Sequence, residues 1–217
     1  MKEIKAVVFD MDGLMFDTEK LWLESVIKTN EEYGYNVPFD TAVECVGKRK
    51  DYTKSKLKEV LGENFDADKF RELNVMFMNE DVNKNGLRVK KGLTELLEFL
   101  YEKNIKIAIA SSSSNKEIEK RLKEANISLK YFDSIIGGYL VSKPKPDPEI
   151  YLKSCEILNV NPKNALALED SEYGVISASK AGMKVILIPD IKLPSKEIQN
   201  LAYKTLNNLL EVIDLFN

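Results

Sequence analysis

Four short and almost entirely apolar segments constrain the fold of this 217-residue chain more than any other feature. They lie at Ala6-Val7-Val8-Phe9 and at residues 105–110, 165–168 and 184–188. Because the apolar residues are continuous rather than alternating, they predict strands that are buried on both faces, as in a parallel sheet. Amphipathic stretches that predict helices lie between them, at residues 93–102, 118–124, 150–158 and 175–181. The alternation of strands and helices predicts an α/β fold with a doubly wound parallel sheet.

The region from residue 18 to residue 84 interrupts this alternation. Periodic apolar residues predict helices over residues 19–33, 51–61 and 67–83, and the region has no convincing pattern of a buried strand. We therefore predict a core domain of residues 1–16 and 86–217 and an inserted all-helical domain of residues 17–85. The predicted junctions are Phe16-Asp17 and Asn85-Gly86.

Composition argues against several classes of function. Lys and Arg number 32 and Asp and Glu number 35, for a net charge of −3, so we expect no nucleic-acid partner. The chain has neither a signal-peptide core nor an apolar run near the roughly 20 residues that span a bilayer, so we expect a cytoplasmic protein without a membrane partner. It contains no histidine, which removes imidazole catalysis and His-ligated zinc. Any chemistry must therefore use carboxylates, hydroxyls, lysines or an oxygen-bound metal.

Polar residues follow the predicted strands at the positions where open α/β sheets bind their ligands. They are Asp10 and Asp12 in DMDG, Ser111 and Ser112 in a run of four serines, Lys143 in SKPKPDP, and Glu169 and Asp170. Taken singly, each of these features is explained as well by a helix cap, a turn or a loop. Their joint occurrence, each near the end of an apolar run, favours one functional site.

The four acidic residues of this set are hard oxygen ligands of the kind that Mg²⁺ prefers. Clustered carboxylates repel one another, and a divalent cation together with Lys143 would compensate their charge. The serine hydroxyls and the free N–H groups where the serine run opens a helix predict an anion-binding loop. The combination predicts a site for a metal ion and a phosphate group.

These motifs resemble those of the haloacid dehalogenase superfamily of phosphohydrolases over nearly the full chain. The likeness rests on DMDG at residues 10–13, the apolar run into Ser111, Lys143, and LEDS with a following glycine at residues 168–174. It implies a Rossmann-like core with a helical cap inserted after the first motif, and a Mg²⁺-dependent phosphatase acting on a small phosphorylated metabolite. Residues 10–22 and 167–183 are similar to sugar-phosphate and 2-deoxyglucose-6-phosphate phosphatases, and residues 46–50 and 181–190 to pseudouridine-5′-phosphatase.

The resemblance also implies roles for individual residues. Asp10 attacks phosphorus and forms an aspartyl phosphate, while Asp12 protonates the leaving oxygen and later activates water. Asp10, Asp170 and the backbone carbonyl of Asp12 hold Mg²⁺, with Glu169 supporting the ion through water. Ser111 and Lys143 hold the phosphoryl oxygens.

Substrate choice is expected to come from the insert, because the core contacts mainly phosphate. The candidate residues are Glu19, Trp22, Gly47, Lys48 and Arg49. Trp22 lies at helical spacing from Val26 and fits a helix core equally well, and residues 48–50 equally fit a solvated run of charge. Both interpretations stay open.

Two other functions share this pattern of residues. A β-phosphoglucomutase has the same core layout, but it carries a lysine where this chain has Val46 and a histidine where this chain has Trp22. A phospho-aspartate signalling receiver also places Asp, a hydroxyl and Lys at strand ends around Mg²⁺, but receivers are much shorter and carry the acceptor on a middle strand. We favour the phosphatase and expect a monomer.

Overall fold

The computed structural model describes residues 1, 3–48 and 50–216. The chain forms two compact units, one made of the residues up to Phe16 together with those from Arg88 onward, the other of Asp17–Leu87. The predicted insert of residues 17–85 ends two residues earlier than the second unit. Within the described ranges, no helix is long and apolar enough to cross a bilayer.

A six-stranded parallel sheet forms the centre of the first unit, which confirms the predicted fold class. Its strands are β1 (Ala6–Phe9), β2 (Lys106–Ser111), β3 (Ser134–Gly137), β4 (Ala165–Glu169), β5 (Lys184–Leu187) and β6 (Lys204–Thr205). The order across the sheet is β3-β2-β1-β4-β5-β6, so β1 lies between β2 and β4. Strands β3 and β6 were not predicted, because β3 offers two apolar residues and β6 is an exposed two-residue edge strand.

Helices α5 (Leu93–Glu102), α6 (Asn115–Glu124), α7 (Glu149–Ile157) and α8 (Glu172–Lys180) connect the strands of this sheet, and short helices α9 (Lys196–Gln199) and α10 (Leu210–Ile213) follow. Ser114 and Glu117 form a capping box at the start of α6. Aliphatic side chains of the strands pack with Tyr151 and Cys155 of α7 and Val175 of α8 in one buried cluster. This packing fixes α7 and α8 against the sheet.

The described helices of the second unit precede those above in the chain. They are α1 (Thr18–Tyr33), α2 (Phe39–Cys45), α3 (Lys50–Leu61) and α4 (Ala67–Asn85). Buried Asn74 of α4 ties this helix to α1, since its amide oxygen accepts hydrogen bonds from Thr29 Oγ1 at 2.7 Å and Ser25 Oγ at 3.4 Å. Helix α2 was not predicted, because seven residues are too few to show helical periodicity.

Candidate active site

The parallel register of β1, β2 and β4 brings their polar carboxyl ends together. Phe9 is level with Ile109 on one side and with Leu168 on the other, so Asp10 and Glu169 both lie one residue beyond that level. Asp10, Ser111, Glu169 and Asp170 are all buried. One carboxylate oxygen from each of Asp10, Glu169 and Asp170 lies within 4.8 Å of the other two. We call these three residues the acidic cluster.

Lys145 supplies the positive charge of the acidic cluster. Its Nζ donates to Asp10 Oδ1 and Glu169 Oε1, both at 2.6 Å, and to the Ala110 carbonyl at 3.0 Å. An ammonium carries three protons, and these three acceptors are the nearest of four, the Tyr151 hydroxyl at 3.3 Å being the fourth. Burial alone lowers the pKa of Lys145, but the two carboxylates outweigh it and raise this pKa above its ordinary value. The buried side chain is therefore a permanent cation.

The sequence predicted Lys143 as the lysine beside the acidic residues, but Lys145 is the lysine that contacts Asp10 and Glu169. The Lys143 side chain is exposed, and its backbone N–H donates to Glu149 Oε2 at 2.8 Å. Ser142 binds the same carboxylate through its N–H at 2.8 Å and its hydroxyl at 2.9 Å. These bonds lower the pKa of Glu149, the backbone N–H of Ser142 contributing most. They tie residues 142 and 143 to the start of α7, and Lys145 then enters the acidic cluster.

Tyr151 is a neighbour of the acidic cluster that no sequence motif indicated. Its fully buried hydroxyl donates to Glu169 Oε1, and Lys145 Nζ lies 3.3 Å from this hydroxyl and 5.0 Å from the ring centroid. Burial, reinforced by the charge of Glu169, raises the pKa of Tyr151 well above its ordinary value, so the phenol keeps its proton. In the sequence, a tyrosine on the apolar face of a helix looks like a core residue, and nothing there pointed to this contact.

The charge balance of the acidic cluster fits a divalent cation. Burial raises the pKa of Asp10; Lys145 opposes this, Glu169 and Asp12 add to it, and the resulting pKa is about 7. Three carboxylates lie within 4.8 Å of one another, and the ammonium of Lys145 contacts two of them, Asp10 and Glu169. Carboxylate oxygens suit Mg²⁺, and one such ion would reduce the repulsion among them. Both oxygens of Glu169 already accept hydrogen bonds, Oε1 from Lys145 and Tyr151 and Oε2 from Ser171 at 3.2 Å. These contacts fit a residue that supports the ion through water and does not bind it directly.

Asp12 and the serine loop lie next to each other. Ser113 Oγ donates to Asp12 Oδ2 at 3.0 Å, and the Ser113 N–H donates to Ser111 Oγ at 3.1 Å. Ser111 is buried, whereas Ser112 is exposed. The Asp12 carboxylate is outside the acidic cluster, so the predicted metal contact of Asp12 rests on its backbone carbonyl. The phosphate-binding roles of Ser111 and Ser112 stay predictions.

Two glycines permit the backbone to approach the acidic cluster. Gly13 has φ +84°, and a Cβ added there would lie 2.2 Å from Asp170 Oδ2. A Cβ at Gly174 would lie 1.9 Å from the Glu169 carboxylate. Any larger residue at either position would have to displace a carboxylate, so both glycines are required by the packing of the cluster.

The residues predicted to bind the variable part of the substrate belong to the second unit. Glu19 Oε1 accepts a hydrogen bond from the Gly47 N–H at 3.3 Å, and Lys48 Nζ lies 6.0 Å from the ring centroid of Tyr52. Trp22 is partly buried. Arg49 lies outside the described residues. The assignment of these residues to substrate binding stays a prediction, as does the alternative that they serve packing or solvation.

Residues 7–188 match the haloacid dehalogenase-like hydrolases, and the chain belongs to this family. The phosphorylated carbohydrates phosphatase of Thermotoga maritima is 36% identical over 183 residues, which are 84% of each chain. A Drosophila melanogaster protein assigned by inference as a pseudouridine-5′-phosphatase is 27% identical over 218 residues, 97% of this chain and 92% of that one. A solved Thermotoga maritima structure, provisionally assigned as a β-phosphoglucomutase, is 31% identical, with a TM-score of 0.81 and 98% of both chains covered.

These comparisons confirm the family resemblance that the sequence motifs indicated. They also make the chain an enzyme of the phosphatase type within that family, a phosphoric monoester hydrolase. The phospho-aspartate receiver, the remote alternative, has no support from the family match.

Proposed function

We propose that this protein is a Mg²⁺-dependent phosphatase that hydrolyses a small phosphorylated carbohydrate or nucleoside monophosphate through an aspartyl phosphate on Asp10. One observation carries the proposal: Asp10 directly follows the strand between β2 and β4, is buried, accepts a hydrogen bond from a permanent cation, and lies within 4.8 Å of two further carboxylates. In this proposal the first unit is the catalytic core, the second is the cap, and the protein acts as a cytoplasmic monomer.

The proposed reaction uses Asp10 and Asp12 in two steps. Lys145 holds Asp10 Oδ1 and so fixes the direction of the carboxylate for in-line attack on phosphorus. The bond between Asp10 and phosphorus forms as the bond to the leaving oxygen breaks, and Asp12 gives that oxygen a proton. Asp12 then takes a proton from the water that hydrolyses the aspartyl phosphate. The hydroxyl of Ser113 keeps the Asp12 carboxylate oriented for both transfers.

Asp10, Asp170 and the Asp12 backbone carbonyl are the groups that would hold Mg²⁺. When bound, the ion supplies positive charge against the phosphoryl oxygens, where charge neutralisation contributes most to such reactions. Lys145 and Ser111 bind those oxygens from the protein side. Lys145 takes the role that was predicted for Lys143.

The substrate class rests on the relatives and on the chemistry of the second unit. The Thermotoga maritima relative is named for phosphorylated carbohydrates. Glu19, Lys48 and Arg49 carry groups that hydrogen-bond sugar hydroxyls. Glu19 of α1 also accepts a hydrogen bond from the N–H of Gly47, the residue before Lys48. Trp22 would pack against the apolar face of a sugar ring or base.

Phosphate release from a panel of hexose, pentose and nucleoside monophosphates, with and without Mg²⁺, tests the proposal. We expect release from at least one ester, dependent on Mg²⁺ and lost in Asp10→Asn. Activity that survives thorough chelation contradicts the metal assignment, and a fully active Asp10→Asn protein contradicts covalent catalysis.

A phosphosugar mutase is the second candidate, favoured by the likeness to the Thermotoga maritima structure. It has the same core chemistry but returns the phosphoryl group to another hydroxyl of the sugar instead of to water. Incubation with β-glucose 1-phosphate separates the two, since a mutase yields glucose 6-phosphate and a phosphatase yields free phosphate. Val46 and Trp22 occupy the positions that are lysine and histidine in the mutase, and we expect free phosphate.

A further inference from the structure

Tyr151 is a buried polar side chain that the proposed reaction does not use. It lies on α7, and its hydroxyl donates to the same oxygen, Glu169 Oε1, that accepts from Lys145. Glu169 itself is fully buried, so its negative charge depends on the hydrogen bonds that it accepts from its neighbours.

Lys145 is shared between two carboxylates at equal distance. Its Nζ lies 2.6 Å from Asp10 Oδ1 and 2.6 Å from Glu169 Oε1, and the Ala110 carbonyl takes its third proton. To bind a phosphoryl oxygen, the ammonium must redirect an N–H from one of these acceptors. The less the negative charge of Glu169 is compensated by other hydrogen bonds, the more strongly Glu169 attracts the Lys145 ammonium and keeps it from the phosphoryl oxygen.

We propose that Tyr151 is a positioning residue that acts through Glu169, its hydroxyl compensating part of the buried carboxylate charge so that Lys145 can turn an N–H to the phosphoryl oxygen. Without the hydroxyl, Glu169 draws the ammonium away from Asp10 and the substrate. This inference rests on the proposed function, because it takes Lys145 as a ligand of the phosphoryl group.

The replacement Tyr151→Phe isolates the hydroxyl. Phenylalanine keeps the ring that lies beside Lys145 Nζ, and it leaves the packing of α7 against the sheet intact. Ser154→Ala is the matched control, since it removes another fully buried hydroxyl from the same helix, one that donates to the Ile150 carbonyl at 2.8 Å and not to the acidic cluster.

The measurement is the Kd of inorganic phosphate by calorimetry in the presence of Mg²⁺, together with kcat and KM for p-nitrophenyl phosphate. We expect Tyr151→Phe to raise the Kd about tenfold or more, the usual effect of losing a hydrogen bond to a charged group. We expect kcat/KM to fall by at least the same factor, and Ser154→Ala to match the wild type in both. Thermal unfolding of all variants shows whether the two substitutions perturb the fold to a similar extent.

A double-mutant cycle with Glu169→Gln separates this role from a purely structural one. If Tyr151 acts through the charge of Glu169, Tyr151→Phe changes the Kd of phosphate by no more than about twofold in the Glu169→Gln background. The same loss in both backgrounds overturns the inference, as does a Tyr151→Phe protein that binds phosphate like the wild type or fails to fold.

The two proposals fail in different ways. A wild-type protein that hydrolyses no phosphate ester defeats the proposed function and takes this inference with it. A wild-type protein that is active, with an equally active Tyr151→Phe variant, defeats this inference alone.

Discussion

Replacement of Lys145 by methionine removes the only cation seen to contact Asp10 and Glu169 in the described part of the chain. Methionine has a similar length and keeps the packing, so the change is mainly one of charge. Both carboxylates lose a hydrogen bond of 2.6 Å and stay buried. Removing one partner of a buried ion pair usually costs about 3–5 kcal/mol of unfolding free energy.

Asp10 can relieve part of that cost by binding a proton. The pKa of Asp10 is already raised to about 7, chiefly by burial, and Lys145 is the main group that holds it down. Its pKa rises further in Lys145→Met, so Asp10 takes up a proton near neutral pH. We therefore expect a destabilisation near the lower end, about 3 kcal/mol, in urea unfolding at neutral pH.

Protonated Asp10 is a poor nucleophile, and the phosphoryl oxygens also lose a cation in this variant. Removing one such stabilising group commonly lowers kcat by about 10²–10³-fold, and we expect at least this loss in phosphate release. Lys143→Met is the matched control: that side chain is exposed, so its effect on stability should stay within about 0.5 kcal/mol, with activity retained. Loss of activity in Lys143→Met with full activity in Lys145→Met would refute the assignment.

Three other perturbations test the surroundings of the acidic cluster. Gly13→Ala puts a Cβ at positive φ against Asp170, so we expect a loss of about 1–2 kcal/mol in unfolding free energy and of Mg²⁺-dependent activity; wild-type kinetics would contradict the close approach. Glu149→Gln weakens three hydrogen bonds that hold residues 142 and 143, so kcat/KM should fall about fivefold. The control Glu156→Gln, at an exposed position of the same helix, should leave kcat/KM unchanged. Equal kinetics for the two variants would show that the Glu149 contact is dispensable. Mg²⁺ at about 100 times its Kd should add about 2.7 kcal/mol of stability, and Asp170→Asn should lose most of that gain; a gain retained in this variant would place the ion elsewhere.

The sheet was predictable because burial on both faces leaves a strong local signal. The run Ala6–Phe9 coincides with β1, and the ends of β1, β2 and β4 carry the acidic and hydroxyl groups to one edge. Strand β6 escaped prediction because an exposed edge strand of two residues has no apolar pattern to detect.

The choice of lysine could not be predicted, because it depends on side-chain contacts that the sequence does not display, both nearby ones of Glu149 and distant ones of Lys145. Lys143 and Lys145 both lie in the irregular segment SKPKPDP, where no periodicity tells which side chain points inward. The carboxylate of Glu149 settles the matter by binding the N–H groups of Ser142 and Lys143. The contact of Tyr151 was equally hidden, since Tyr151 is on helix α7 and its partner Glu169 ends strand β4.

Rapid acid quenching during turnover of p-nitrophenyl phosphate, followed by peptide mapping, tests whether Asp10 is the nucleophile. We predict a peptide containing Asp10 that carries the mass of one phosphoryl group, that is released by hydroxylamine, and that is absent from Asp10→Asn. An enzyme that turns over many times while no phosphoryl group is ever found on Asp10 would contradict covalent catalysis at this site.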